Sequence, residues 1–312
     1  VNFDRRYLEA FSALVRTQSF GLAARELNIS RSALSQRIAA LEGVLGTPLL
    51  VRDSVVPTPP GEILLHHCQA VTTLEFDTMK RLKLDTLARP NVAIAVNADC
   101  LTTWFEPIAY AIAKENVAIE VFTDNQIDAL TALARGEVMG WLSKTRTALP
   151  GFAAEPIGLM EYECVGTPAL AKRYFANGLK RESVVAAPAV LPNRSDPVHE
   201  AFIEKALGFV VSGYVAHCFP TLEARLSAIR RGIGYGLVPT MLARAWMDSG
   251  DLVGLAPQAK ISVDLYWHHW TKAPPTDSAI SKLVMRHACR TLTRSCVLPL
   301  QDVLADLPVK RN

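Results

Sequence analysis

Residues 19–43 constrain this chain more than any other stretch. Two short amphipathic helical patterns, one built on Phe20, Ala23, Ala24 and Leu27 and one on Ala33, Leu34, Ile38 and Leu41, meet at the polar turn Asn28-Ile29-Ser30. That is the grammar of a helix-turn-helix, whose second helix enters the DNA major groove. Upstream, Tyr7, Leu8, Phe11, Leu14 and Val15 recur at helical spacing over residues 5–17. Ser30 is a good N-cap for the third helix. Gly46-Thr47-Pro48 ends the unit, and Leu49-Leu50-Val51-Arg52 reads as a short strand. Asp53 to Pro60, with three prolines, reads as a turn and a second short strand, together a wing.

Between Glu62 and Arg89 there is neither Gly nor Pro. One helix of that length spans about 42 Å at 1.5 Å per residue. Leu64, Cys68, Val71, Leu74, Thr78 and Leu82 recur at three- or four-residue steps, a seam suited to a second copy of the same helix or to an ordinary core. After Arg89-Pro90 the pattern changes. Apolar runs at residues 92–96, 118–122 and 138–142 alternate with helical patterns, which predicts βαβ units and a mainly parallel sheet. The alternation resumes with expected strands at 162–165, 184–186, 214–219, 236–239 and 261–267, and a final helix over 278–294. The economical fold is two α/β lobes with a cleft between them. The tail, 295–312, is expected to be loosely ordered.

Composition narrows the function classes. The 312 residues suggest two or three domains, and half of them are hydrophobic, enough for a sizeable core. The net charge of +3 permits nucleic-acid binding without demanding it. Six scattered cysteines form no CxxC or zinc spacing and read as reduced thiols. No apolar run suits a membrane span, and the start Val-Asn-Phe-Asp-Arg-Arg lacks a signal-peptide core, so a cytoplasmic protein is expected. There is no GxSxG, HExxH, P-loop or strand-linked GxGxxG, which argues against an enzyme; Gly232-Ile233-Gly234-Tyr235-Gly236 leaves a helix and enters a strand, the wrong order for a phosphate cradle. His268 and His269 alternate faces of a strand and so do not chelate one metal together, and no cofactor is called for. A solute-binding protein shares the two-lobed plan but has no use for the N-terminal head.

The register Phe11, Ser19-Phe20, Ala23-Ala24, Leu27, Ser32-Ala33-Leu34-Ser35, Ile38, Leu41-Glu42, Leu45-Gly46, Pro48-Leu49-Leu50, Arg52, Thr58 and Gly61 resembles the LysR-type transcriptional regulators. Segments 95–99, 135–138, 148–150, 172–178 and 265–268 resemble its narrower ArgP/LysG branch, which responds to lysine and arginine. The resemblance covers residues 3–294. It implies an N-terminal all-α winged helix-turn-helix (1–60), a long linker and dimerisation helix (61–90), and two α/β, periplasmic-binding-protein-like regulatory subdomains. The first spans 91–161 and 266–294, the second 162–265, with the tail at 295–312. It also implies a homodimer or homotetramer acting on promoter DNA, with RNA polymerase a candidate partner. The wing departs from the family, where a second basic residue often follows the one matching Arg52; here Asp53 follows.

On this reading Arg31 and Gln36 meet base edges, since Arg suits guanine and Gln suits adenine. Ser32, Ser35, Arg37 and Arg52 position the backbone, and Ser30 is a further DNA-facing candidate. For the effector, Asn97, Asp99, Cys100 and Thr102 follow the first strand of lobe one, where many family members place a small hydroxyl residue for an anion. Asp99 there attracts an ammonium or guanidinium, with Asp124 and Glu223 as further acids and Thr102 as a donor to an α-carboxylate. Lysine or arginine is the expected effector; another small molecule, or no effector at all, is the alternative. Plainer roles stand beside these: Asp99 as a helix cap, Asp124 as a turn residue, Glu223 as a helix N-terminal acid. His199 lies near the cleft edge without an assigned role.

Overall fold

The computed structural model describes residues 3–51, 54–82, 91–115, 117–123 and 127–293. Arg52, Asp124, the 83–90 end of the expected linker helix and the 295–312 tail lie outside these. The N-terminal head packs α1 (Arg5–Thr17), α2 (Phe20–Glu26) and α3 (Arg31–Leu45) around the fully buried Phe11, Leu14 and Leu34. Each helix begins at a side-chain cap that satisfies an otherwise orphaned amide. Asp4 accepts from the Arg6 amide at 2.9 Å, Ser19 from Leu22 at 3.4 Å and Ser30 from Ala33 at 3.0 Å. The α2–α3 turn passes through Asn28 at φ 53°, a left-handed conformation that Asn tolerates better than most residues. The wing forms as expected where described: Val51 donates to the Val56 carbonyl at 2.8 Å and Thr58 to Leu49 at 2.9 Å. Glu42 ties α3 to it, accepting from the Leu49 amide at 2.7 Å.

Helix α4 (Pro59–Arg81) starts on two prolines, whose missing amides cost nothing in a first turn. Leu64, Leu65 and Cys68 are buried against the head, whereas Ile63, Leu74, Met79 and Leu82 are exposed. Burial pushes the Cys68 thiol up to about 12, so it stays protonated. Gly61 lies so close to the wing that a Cβ there would run into the Leu49 carbonyl oxygen. The other side of α4 docks on the body. His66 Nε2 meets the Ala134 carbonyl at 2.6 Å, Gln69 donates to Gly136 O, and Asp77 accepts from the Thr276 amide at 3.1 Å and from its hydroxyl.

The body carries two lobes on one mixed sheet. Lobe I holds β1 (Asn91–Val96), β2 (Ala118–Thr123) and β3 (Gly140–Ser143). Between β1 and β2 the chain runs through α5 (Ala98–Cys100), a π-helical stretch (Leu101–Phe105) and α6 (Glu106–Lys114); α7 (Ala129–Ala134) precedes β3. The 15-residue β4 (Phe152–Gly166) then leaves lobe I for lobe II. Lobe II contains α8 (Pro168–Tyr174), α9 (Arg181–Ala186), β5 (Ala189–Leu191), α10 (Pro197–Leu207), β6 (Ala216–Cys218), α11 (Leu222–Arg230), β7 (Gly236–Pro239), α12 (Thr240–Asp248) and β8 (Val253–Gly254). Strand β9 (Ile261–Trp270) returns beside β4, and α13 (Pro275–Thr291) closes lobe I. Trp267 of β9, fully buried, donates from Nε1 to Ser281 of α13 at 3.1 Å; Gly140 opposite leaves room for its ring.

Among the described residues the strand order is β2-β1-β3-β9-β4-β7, with β8 also on β4 and a separate β5-β6 pair. The sheet is less parallel than the alternation predicts. Only β1–β2, β1–β3 and β5–β6 are parallel, whereas β9 is antiparallel to both β3 and β4, and β7 and β8 are antiparallel to β4. A second correction concerns Val184–Ala186, which belongs to α9 rather than to a strand. A short apolar run does not separate helix from strand, and the Lys180 amide donating to Ser183 Oγ at 2.8 Å closes a helical first turn.

These contacts have measurable consequences. Gly61→Ala should lower the stability of the full chain by about 1–3 kcal/mol through overpacking, read by urea denaturation. Asp277 at the start of α13 is mostly buried; burial first, then Asp77, raises its pKa to about 6. An acid raised in this way destabilises the folded state above its folded pKa and ceases to do so as pH falls toward its unfolded value. Asp277→Asn should therefore add on the order of 1–2 kcal/mol at pH 7 and flatten the stability profile between about pH 4 and 6.

Candidate functional site

The first candidate surface is the start of α3. Ser30, Arg31, Ser32, Ser35 and Gln36 are exposed, while Leu34 and Ile38 turn inward. Arg37 is half-buried and turned toward the N-terminus of α1, where its charge helps lower the pKa of Asp4 behind the larger effect of the hydrogen bond from Arg6. The hydroxyl oxygen of Ser30 is engaged as the helix cap. The result is an exposed polar face at the start of α3, while the wing is tied to the far end of the helix through Glu42.

The second is the cleft between the lobes. Asn97 ends β1 and caps α5, accepting from the Asp99 amide at 3.0 Å. That fixes Asp99 pointing across the cleft, with only 9% of its surface exposed. Its carboxylate meets two partners from beyond lobe I: Arg225 Nη2 of α11, and the Tyr162 hydroxyl of β4 at 3.1 Å. Burial, then the neighbouring Asp99, holds the Tyr162 phenol well above its ordinary pKa, so it remains a donor. A second bond crosses nearby, from the Thr102 hydroxyl to Glu223 Oε1 at 2.9 Å.

Beside the ion pair lies a cavity of about 220 Å³, with Asn97, Asp99, Tyr162 and Arg225 in its wall together with Lys144, Asn193 and Asp196. Lys144 is held by its neighbours. Ser143 Oγ accepts from the Thr145 amide at 2.9 Å, and buried His268 Nε2 meets the Thr145 carbonyl at 2.7 Å. Asp196 caps α10 through the Val198 amide at 3.2 Å; burial raises its pKa, against the pull of Lys144 and Arg225. Two acids and two bases thus face one small space. His199 lies deeper: it is wholly buried beside Tyr214 and Tyr235, and desolvation lowers its pKa to about 4, so it is neutral near pH 7.

The expected effector residues are only partly assembled by this geometry. Asn97 and Asp99 line the cavity. Thr102 and Glu223 stand outside its wall and bind one another. Cys100 is buried in the core and does not line it, because the α5 turn rotates it inward beside Trp104 and Phe105. Sequence reasoning missed Arg225, Tyr162 and Lys144; it set the loop carrying Asp196 at the cleft edge but gave it no role. A signal for Arg225 exists: Leu222, Arg225, Ala228 and Ile229 form one inward helical stripe, and a charge on such a stripe needs a partner. Among the described residues, no group of three or more metal-type ligands is found, and no helix is long and apolar enough to cross a membrane.

Residues 5–62 match the pattern described as "Bacterial regulatory helix-turn-helix protein, lysR family", and residues 90–288 match "LysR substrate binding domain". The chain belongs to the LysR family of transcriptional regulators. It is 32% identical over 292 residues to the HTH-type transcriptional regulator ArgP of Photobacterium profundum, covering 93% of this chain and 98% of that relative. Among solved structures it resembles the crystal structure of ArgP from Mycobacterium tuberculosis (TM-score 0.82, 29% identity, 94% of this chain and all of that one). It also resembles full-length LysG from Corynebacterium glutamicum with bound effector Arg (TM-score 0.76, 26% identity, 93% and 100% coverage). As a LysR regulator the chain couples a DNA-binding head to an effector-binding domain.

Removing one partner of the cleft ion pair strands the other in a low-dielectric site. Asp99→Ala should cost about 3–5 kcal/mol of stability. The paired replacement Asp99→Leu with Arg225→Met should cost less than that single change. Thermal and urea unfolding of the three proteins check this; equal losses would show the pair to be solvated.

Proposed function

We propose that this LysR regulator reads its operator with the start of α3 and is switched by a basic amino acid, lysine or arginine, held between the lobes. The observation that carries the effector reading is the buried carboxylate of Asp99 in a cavity the size of a small metabolite. Asp99 is paired with Arg225, and Asp196 in the same wall gives the cavity a second acid, the paired charge that a buried cation needs. Lys144, Asn97 and Asn193 supply donors for a carboxylate at the same cavity. The effector bound by the similar LysG structure is arginine, which agrees with this chemistry.

In this reading Arg31 and Gln36 contact base edges, Ser32, Ser35, Arg37 and Arg52 hold the phosphate backbone, and Ser30 stands beside them as the helix cap on the DNA-facing side. Asp124 and Glu223 are second-line acids for the effector, and Thr102 a donor. The chain divides into a head (1–60), a linker helix (61–90), the two regulatory subdomains (91–161 with 266–294, and 162–265) and a tail (295–312). The seam beyond Leu64 and Cys68, which are buried against the head, leaves Leu74 and Leu82 exposed, and there a second copy would pair, giving a dimer or tetramer. RNA polymerase is the further partner, and the protein works in the cytoplasm without catalysing a reaction. The switch operates through differential affinity: the effector favours whichever lobe arrangement it binds more tightly, and α4 carries the difference to the heads.

The test is a footprint of the protein on its own upstream DNA, with and without lysine or arginine. The protected region should change in length or in its hypersensitive positions when the effector is added, and a footprint indifferent to both amino acids would remove the effector reading. Arg31→Ala and Gln36→Ala should each weaken the cognate site by about 1–3 kcal/mol, with little effect on nonspecific DNA. Wild-type operator affinity in both variants would displace the base contacts from α3.

A further inference from the structure

The cleft ion pair is unevenly satisfied. Arg225 is 5% exposed and reaches Asp99 through Nη2, yet its Nε–H is buried with no partner among the described residues. Nε and Nη2 form one edge of the guanidinium, with two parallel N–H bonds suited to the two oxygens of a carboxylate. Asp99 meets that edge through Nη2 at most and leaves Nε free, its second oxygen being turned to the Tyr162 hydroxyl. A buried donor left unpaired is costly, and a ligand that satisfies it recovers that cost.

The cavity beside the pair has the complementary properties. Asp99 and Asp196 balance Lys144 and Arg225 in its wall, so it suits a molecule carrying both signs rather than a dianion or a polyamine. At about 220 Å³ it lies below the roughly 300–1,000 Å³ of ordinary small-molecule sites, which limits the occupant to about one amino acid. The pair also joins the lobes: Asp99 belongs to lobe I and Arg225 to α11 of lobe II.

We infer that the effector inserts into the Asp99–Arg225 pair. Its α-carboxylate takes the Nε/Nη2 edge of Arg225, and a cationic group of the same molecule takes Asp99. Two charges that neutralise one another across the cleft are then each neutralised by the ligand, so neither is stranded. The direct bond between the lobes is replaced by one that runs through the ligand and is longer by its length. Arg225 is thereby a specificity residue: it demands a free carboxylate and excludes the corresponding amine. This rests on the reading of the cleft as an amino-acid site.

Isothermal titration calorimetry on the full-length protein tests it, with L-arginine, L-lysine and L-glutamine against agmatine and cadaverine, the decarboxylated forms of arginine and lysine. Wild type should prefer each basic amino acid over its amine by on the order of 10- to 100-fold. Arg225→Gln should collapse that preference to about threefold or less by weakening the amino acid alone, and Asp99→Asn should weaken amino acid and amine together. Wild type binding agmatine as tightly as arginine overturns the insertion, with no variant needed. So does Arg225→Gln that keeps its near-ultraviolet circular dichroism and retains the full preference. If wild type binds glutamine but neither basic amino acid, and Arg225→Gln abolishes that binding, the lysine/arginine reading falls and the insertion stands. A wild-type protein that binds none of the three amino acids overturns both.

Discussion

The antiparallel pair of β4 and β9 is common to both lobes, and the width of the cleft depends on it. The two strands run in register from Phe152 opposite Trp270 to Tyr162 opposite Ile261, with one irregularity between Pro156 and Gly158. Lobe I hangs on one end through β3, which pairs with β9, and lobe II on the other through β7, which pairs with β4. The ion pair of Asp99 and Arg225 bridges the lobes beside this pair of strands. Tyr162 lies on β4 and bonds Asp99, so the strand shared by the lobes and the cleft chemistry are in direct contact.

A buried pair of this kind is poor evidence for stability, since desolvation offsets most of the Coulomb attraction. It is better suited to selection between arrangements. Each charge is tolerable only while the other, or a substitute, is present. On the proposed reading, that favours small zwitterions over neutral apolar molecules of the same size. The second crossing bond, Thr102 to Glu223, is exposed and contributes less, as hydrogen bonds near water do. At the far side of lobe I, α4 is pinned by His66, Gln69 and Asp77 to backbone and side chains of the body. The same helix also packs the His66 ring against Phe152 and Trp270, so polar and ring contacts together join it to lobe I.

Much of the architecture was legible in the chain itself. The caps Ser19 and Ser30, the polar turn at Asn28 and the apolar stripe of Leu34, Ile38 and Leu41 are local signals, and the head follows them closely. So do the wing and the start of α4, where prolines and Gly61 punctuate the chain. Asp99 was legible as a cation-attracting acid. Its partner was not, because Arg225 is 126 residues away in sequence and local periodicity carries no information about which helix faces which loop. The same reason hid Lys144 and the role of Asp196, whose positions depend on His268 and on the α10 cap. The antiparallel course of β4 and β9 escaped for a different reason: alternation of strands and helices reports connection, and a strand that crosses two lobes looks like two short ones.

What the sequence determined alone is therefore what depends on neighbours within a few residues: helix starts and stops, the turn of the reading head, the presence of buried strands, and the family register. Hydrogen bonds along one helix or turn are short-range and leave periodic traces. What only the tertiary structure decided is which charges meet. Electrostatic pairing in a low-dielectric cleft acts through space, over a few ångströms between residues that share no local pattern. It turns an acid expected to await a ligand into one already held by an arginine of the opposite lobe.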